Sequence, residues 1–322
     1  MSLKLQFYSL KGMALSFLGH TRFSVFEPKS PSWRLSRSLG RKDEEKYFSR
    51  LFSDERMEAR SEIFFEHSLP SIDKAANQHD IKHVVSFSEE LPDIYKDRLA
   101  EAQRSYSWLI LDERTAVNRK GMPLGELSKE LYRTGTVFAE YRLDDDDILA
   151  GSYFDQLEEY LRPELVGYYV SLGLGVQALF DGGVFYAPRV EHRPKIAIGL
   201  ARICAYSEDS KLLCPPRVAH TRVDLNAPTI IDSRQLSFLH SLHLNQDSGE
   251  QKPEDDLGNR LRNYIRQPKI VAGEEDLSMS FPTAVFKEDD LAQLSRELRA
   301  ELTTRRGLKS LITRIYREAV QR

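Results

Sequence analysis

The chain has 322 residues, 41% hydrophobic and 30% charged, which suits a soluble globular enzyme with one large core or two modest ones and argues against general disorder. A formal net charge of −3 and a pI near 6.3 supply no overall positive field for nucleic acid, so no nucleic-acid partner is expected. Cys204 and Cys214 are too few for a four-thiolate zinc site, and Lys4 and Lys11 break up the first apolar stretch, so a cytoplasmic chain without a spanning or signal segment is expected.

In chain order, His20–Phe26 reads as a strand, and the basic, polar stretch from Glu27 to Ser53 reads as a loop over one edge, with Arg34, Arg37, Arg41, Lys42 and Lys46. A helix over Asp54–Ser68, a strand over His83–Ser88 and a helix over Tyr95–Ala102 follow. Trp108–Leu111 and Thr136–Leu143 are strand-like, with a helix near Leu124–Tyr132 between them. This alternation predicts an α/β fold with a doubly wound, mostly parallel sheet. Ile148–Leu161 carries Phe154, Leu157 and Leu161 at helical spacing. Tyr168–Leu174, Val184–Pro188 and Ala197–Tyr206 read as further strands, and Asp181-Gly182-Gly183 as a turn. Asp247–Gly258 is a polar linker, and two amphipathic helical patterns follow it. The second of them is strongly basic from Arg305 onward, which suits an anionic membrane surface or an acidic partner. The expected division is residues 1–250 as the main domain and 251–322 as a linker and basic helical extension.

Four consecutive aspartates, Asp144 to Asp147, stand at the end of the Thr136–Leu143 strand. Adjacent carboxylates repel unless a cation neutralises them, and in open α/β sheets the carboxyl ends of strands are where ligands bind. Residues two apart in an extended segment point the same way, so Asp144 and Asp146 form a D-x-D pair able to address one Mn²⁺ or Mg²⁺ ion. A neutral imidazole can complete such a shell; of His220, His240 and His243, the sequence favours His243 first and His220 second. Arg22 and Arg60 are candidates for a diphosphate, because a guanidinium grips phosphate oxygens in a forked geometry. Surface salt bridges and a solvated acidic turn are the plainer readings of the same residues.

The run Tyr141-Arg-Leu-Asp-Asp-Asp-Asp-Ile-Leu149 resembles the D-x-D region of GT-A glycosyltransferases. More closely, with Thr21-Arg-Phe-Ser24, Leu51–Arg60, Phe87-Ser-x-x-Leu-Pro92, Ile196–Ala201 and His220-Thr-Arg222, the chain resembles the putative rhamnosyltransferase family, with its Arg-x-Asp-Asp-Asp-Asp signature. The similarity runs over roughly residues 18 to 250, and the connection between Leu111 and Thr136 departs from it. The resemblance implies a GT-A-like fold and a nucleotide-diphosphate sugar donor, with rhamnose as the family's sugar. It places Asp144 and Asp145 beside the nucleotide sugar and makes Asp146 the direct metal ligand. The acceptor it implies is a glycan or a lipid-linked glycan, with the basic C-terminal helices suited to peripheral contact with the inner face of the membrane. An inverting transfer needs a base for the acceptor hydroxyl; Glu191, before a strand expected over Pro194–Leu200, is the candidate, with Asp181, Asp209, Asp224 and Asp247 as alternatives. Two rival readings remain: a metal-dependent phosphoesterase or nucleotidyltransferase, and a non-catalytic module that binds a cation or a partner.

Overall fold

Period-two alternation sets the main sheet. In β1 (Ser16–Arg22), Phe17 and Leu18 point to opposite faces and both are fully buried, each in a different apolar cluster, so the strand is covered on both sides. The computed structural model describes residues 15–30, 36, 42–132, 134–243 and 274–287. After β1 come α1 (Glu44–Leu51) and one long helical run: α2 (Asp54–Glu62), a π-helical turn (Ile63–Ser68) and α3 (Leu69–Ala76). Then follow β2 (Asp80–Ser88), α4 (Asp93–Ser105), β3 (Leu109–Arg114), α5 (Leu124–Leu131) and β4 (Val137–Arg142).

β1, β2, β3 and β4 are mutually parallel, in the order β3-β2-β1-β4. From α3 and α4, Leu69, Ile72 and Leu99 cover the Phe17 face, while Leu124 of α5 covers the Leu18 face with Phe138 and Tyr206. Helices on both faces make this half of the sheet doubly wound, as the alternation predicted. Gly19 is required at the crossing of β1 with its neighbours: a Cβ there would stand 2.0 Å from Nδ1 of His83 and 2.4 Å from the Tyr141 hydroxyl.

The chain then passes through β5 (Asp147–Leu149), α6 (Tyr153–Glu158), β6 (Tyr169–Leu172), β7 (Leu174–Asp181), β8 (Val184–His192), β9 (Ala201–Tyr206), β10 (Leu212–Leu213), β11 (Thr229–Asp232) and β12 (Phe238–Leu242). β9 joins the main sheet antiparallel to β4 and to β6, and β11 extends that edge parallel to β6. The sheet is therefore mixed and mainly parallel. A second sheet has the order β13-β8-β7-β12-β5, in which β13 is Phe286–Lys287. The long helical run touches both cores. Ile63 is buried in the cluster of the small sheet and its neighbour Phe64 in that of the main sheet.

Several segments differ from expectation. The aspartates are followed by a strand, β5, and only then by α6, because Ile148 and Leu149 are buried by antiparallel pairing with Leu239 and Phe238 of β12. Phe154, Leu157 and Leu161 are nonetheless buried in the main core. No strand forms over Pro194–Leu200; the chain loops there through Lys195 (φ 63°) and Gly199 (φ 66°), and the Gly199 amide donates to the Arg142 carbonyl at 2.8 Å. Asp181-Gly182-Gly183 closes the β7–β8 hairpin with both glycines at positive φ, as expected. The segment 274–287 packs onto the small sheet: Leu277 and Phe281 are buried and β13 pairs in parallel with β8. The Asp247–Gly258 linker, the basic helices beyond residue 287 and Arg34, Arg37 and Arg41 lie outside the described residues. Among the described residues no helix is long and apolar enough to cross a membrane.

Candidate functional site

The four aspartates form the crossing from the main sheet to the small one. β4 ends at Arg142, the Leu143 amide donates to the His20 carbonyl at 3.1 Å, and Asp147 already belongs to β5. This puts the run at the carboxyl edge of β1 and β4, where parallel strands open a crevice. The run is not a solvated turn. Asp145, Asp146 and Asp147 are buried, and only the Asp144 side chain keeps 28% of its surface accessible.

The charge is balanced mainly by arginines of the chain itself. Arg142, two residues before Asp144 and on the same side of the chain, donates to Asp144 Oδ1 from Nη2 at 2.6 Å and from Nε at 3.1 Å. Arg60, from α2, places Nη1 on Asp145 and Nη2 2.8 Å from Asp146 Oδ2, so that one guanidinium spans two neighbouring carboxylates. Asp145 also accepts from the amide and the hydroxyl of Ser24, at 3.1 and 3.3 Å, and Arg56 holds that hydroxyl at 2.9 Å. Burial pushes the Asp145 carboxyl up, against the pull of Arg60. Burial works in the same direction on Asp146, but Arg60 and the contact with His243 more than offset it and hold this carboxyl well below the usual range. Among the described residues Asp147 has no charged partner. Burial, with the charge of Asp146 beside it, pushes it far up against a hydrogen bond from the Ser241 backbone, and its Oδ1 is buried without a hydrogen bond among the described residues.

His243, just past β12, brings Nε2 to 3.3 Å from Asp146 Oδ2. Burial lowers its pKa and favours the neutral imidazole, and its Nδ1 is buried with no hydrogen-bond partner among the described residues. His220 is elsewhere. It opens the short 3₁₀ helix His220–Leu225, with Nδ1 2.8 Å from the Lys195 carbonyl oxygen, and no contact among the described residues joins it to the aspartates. Among the described residues no group of three or more His, Cys, Asp or Glu side chains is arranged to hold a metal ion.

Arg22 ends β1 on the same rim. Burial and the nearby Arg142 lower its pKa to about 10, against the pull of Asp144 and Glu27, so positive charge is crowded where β1 and β4 end. Arg60, by contrast, is committed to the aspartates and buried.

Glu191 lies inside β8 rather than before a strand, and it is buried. Its Oε2 is 2.9 Å from Nδ1 of His240 and its Oε1 3.3 Å from Arg193 Nη1. Burial raises its pKa, but the hydrogen bond from His240 and the charge of Arg193 bring it below the usual carboxylate range. His240 faces Asp147 directly across the β12–β5 ladder and Gln177 across the β12–β7 ladder. Ser24 and Arg56 were not among the residues the sequence singled out for the site, and His240 was weighed there only as a metal ligand behind His243 and His220. Arg56 is one helical turn before Arg60, a spacing that puts both on one face.

A family model described as "Putative rhamnosyl transferase" matches residues 17–255 of the 322. The chain belongs to this family. The match covers the whole aspartate crossing and bears out the resemblance carried by the Arg-x-Asp-Asp-Asp-Asp run; with it, the chain is placed among the glycosyltransferases. No curated protein matches the chain. Among solved structures it is similar to TarS of S. aureus, with 10% identity and a TM-score of 0.30, over 79% of this chain and 39% of that one. It therefore spans well under half the length of the TarS chain. A 4-diphosphocytidyl-2C-methyl-D-erythritol synthase gives 15% identity and a TM-score of 0.31, over 79% of this chain and 99% of the other. HddC from Yersinia pseudotuberculosis gives 12% identity and a TM-score of 0.24, over 71% and 89%.

Proposed function

We propose that this member of the rhamnosyl transferase family moves a sugar, rhamnose by its family, from a nucleoside-diphosphate donor to a glycan or lipid-linked glycan hydroxyl, and that it uses a divalent cation shared with the donor. The observation that carries this reading is the Asp146–His243 pair: a carboxylate held ionised and an imidazole held neutral face each other at 3.3 Å beside the partly accessible Asp144. Those are the protonation states in which both groups donate electron pairs to a metal. The buried Nδ1 of His243, which lacks a partner among the described residues, leaves either ring nitrogen available to carry the lone pair. Two protein donors do not make a resident site, but Mg²⁺ and Mn²⁺ are commonly held by one or two side chains together with the phosphates of a substrate. When bound, such an ion would neutralise the charge that grows on the departing diphosphate.

The protein's own residues have separate parts in this reading. Asp146 and His243 would hold the ion, Asp144 would face the ribose side of the donor, and Arg22 would approach the diphosphate from the end of β1. Asp145 and Arg60 act one layer below, fixing the backbone of the crossing. His220 is left out of the ligand set because its contacts lie with the Lys195 loop. The phosphoesterase reading is less well supported, since a two-metal centre needs further carboxylates and burial pushes Asp147 toward its neutral form.

The test is thermal stabilisation of the full chain by dTDP and by UDP, with and without Mn²⁺. Stabilisation by a nucleoside diphosphate that needs the metal supports the reading. Asp146→Asn should keep the fold and lose the metal-dependent part of the shift. A variant that responds as the wild type does would refute the assignment of the ion to Asp146.

A further inference from the structure

The small sheet carries a buried polar group that the donor site does not use. On the face of β8 shared by Arg189 and Glu191, Glu191 Oε2 lies 2.9 Å from Nδ1 of His240, with Gln177 Nε2 3.1 Å from the same nitrogen. Glu191 and Arg189 are at most 5% exposed. His240 is the member of the group that reaches outward. Its side chain keeps 14% of its surface accessible, and among the described residues nothing hydrogen-bonds its Nε2. It stands opposite Asp147 in the ladder, one residue from the ion-holding Asp146.

Resting on the transferase reading above, we infer that His240 Nε2 is the base that deprotonates the acceptor hydroxyl and that Glu191, the base expected from the sequence, is its positioning residue. An ionised carboxylate can only accept, so the 2.9 Å contact places the proton on Nδ1, which donates it to Glu191, and a half-turn of the Gln177 amide presents its oxygen to the ring in place of Nε2. That tautomer leaves the lone pair of Nε2 on the accessible side. Glu191 could not easily serve as the base itself, since both of its oxygens are engaged, one by His240 and one by Arg193.

The step balances as a single displacement. The acceptor oxygen forms its bond to the anomeric carbon as that carbon's bond to the diphosphate oxygen breaks. The diphosphate leaves with the electron pair, and the hydroxyl proton passes to Nε2. The resulting imidazolium is stabilised by ionised Glu191 and later loses its proton to solvent. The configuration at the anomeric carbon is inverted. The charged and titratable groups around His240 are Glu191, Arg189 and Arg193 from β8 and its end, with Asp147 and Asp146 from the crossing. Glu191 is the anion in direct contact with the ring.

Two measurements on the full chain test this. In a histidine-labelled sample, long-range proton–nitrogen correlation should show the His240 ring with Nδ1 protonated and Nε2 bare at neutral pH, its signals assigned by their loss in His240→Gln. In Glu191→Gln that preference should weaken. A wild-type ring protonated on Nε2, or one unmoved by Glu191→Gln, overturns the proposal. Turnover is followed as nucleoside diphosphate released from dTDP-rhamnose and from a panel of UDP-sugars with Mn²⁺. His240→Gln should lower kcat by about 10²- to 10⁴-fold and leave affinity for dTDP or UDP within about twofold. Nucleotide binding with undiminished turnover in His240→Gln removes the base and leaves the donor site standing. No binding of any nucleoside diphosphate by the wild type removes the transferase reading, and this proposal with it.

Discussion

At the scale of single residues, the aspartate run shows how a motif rich in one charge is tolerated. Adjacent carboxylates suggested a need for a bound cation, and the structure meets most of that need with Arg60 and Arg142. Arg60 is the member whose loss matters most, because removing one partner of a buried pair leaves a charge without compensation. Arg60→Met should destabilise the chain by about 3–5 kcal/mol in a denaturant titration, and adding Asp145→Asn and Asp146→Asn to it should recover part of that loss. If Arg60→Met alone is neutral, the guanidinium is not what compensates the crossing. The Arg142–Asp144 contact is more exposed, and breaking it by Arg142→Gln should cost no more than about 1 kcal/mol. The local part of this arrangement was legible in the sequence, since Arg142 and Asp144 are two apart where one strand ends. The contact from Arg60 to Asp145 spans 85 residues, and no spacing rule reaches that far. Likewise, the meeting of Glu191 and His240 depends on the register of three strands, which an apolar pattern does not encode.

Among the elements, the helical run from Asp54 to Ala76 does the most to place the site. Its first part presents Arg56 and Arg60 to the crossing, and its π-helical turn sends Ile63 and Phe64 into separate cores. π turns are rare and tend to occur near functional sites, and here the turn lies directly after Arg60. Phe64 is fully buried, with ring centroids 5.2 Å from Phe23 and 5.4 Å from Phe65. Phe64→Ala should cost about 3–5 kcal/mol by chemical denaturation, and a cost below about 1 kcal/mol would show that the run is not anchored there. The parallel strands and the helices between them were visible in the sequence because apolar periodicity switches cleanly from two to near four. β5 and β12 were not. β5 is only three residues long, and its apolar residues ran on into the pattern of the following helix. β12 contains two polar residues, His240 and Ser241, that only pairing on both sides explains.

For the whole molecule, acid is the condition to which the fold is most exposed. Burial lowers His83 to about 3, and His20 also lies well below its ordinary value of 6.5. His83 is held neutral between the Thr21 and Tyr141 hydroxyls, at 2.9 and 2.8 Å. Both folded pKa values are depressed, so below about pH 6.5 the unfolded chain binds protons that the folded chain refuses. Their contribution to stability is therefore complete above that pH and falls as the pH drops toward 3, by about 1.4 kcal/mol per pH unit for each such group, while buried Asp147, whose pKa is raised, works in the opposite sense. The midpoint of thermal unfolding should decline through that window, and His83→Gln should flatten the decline. A slope between pH 6.5 and 4 that His83→Gln leaves unchanged would contradict the buried, neutral state of that ring.

The parallel pairing of Phe286–Lys287 with β8 has a practical consequence for anyone who trims the chain. A version ending at residue 255, where the family match stops, would lack the ribbon that shields one border of the small sheet. Phe180 and Phe185 would lose Leu277 and Phe281 as cover, and open backbone donors beside greasy side chains invite self-association. Such a version should elute as aggregates in size-exclusion chromatography while one carried past residue 287 stays dispersed, so the stretch of chain that behaves as a unit is longer than the stretch that carries the family's signature.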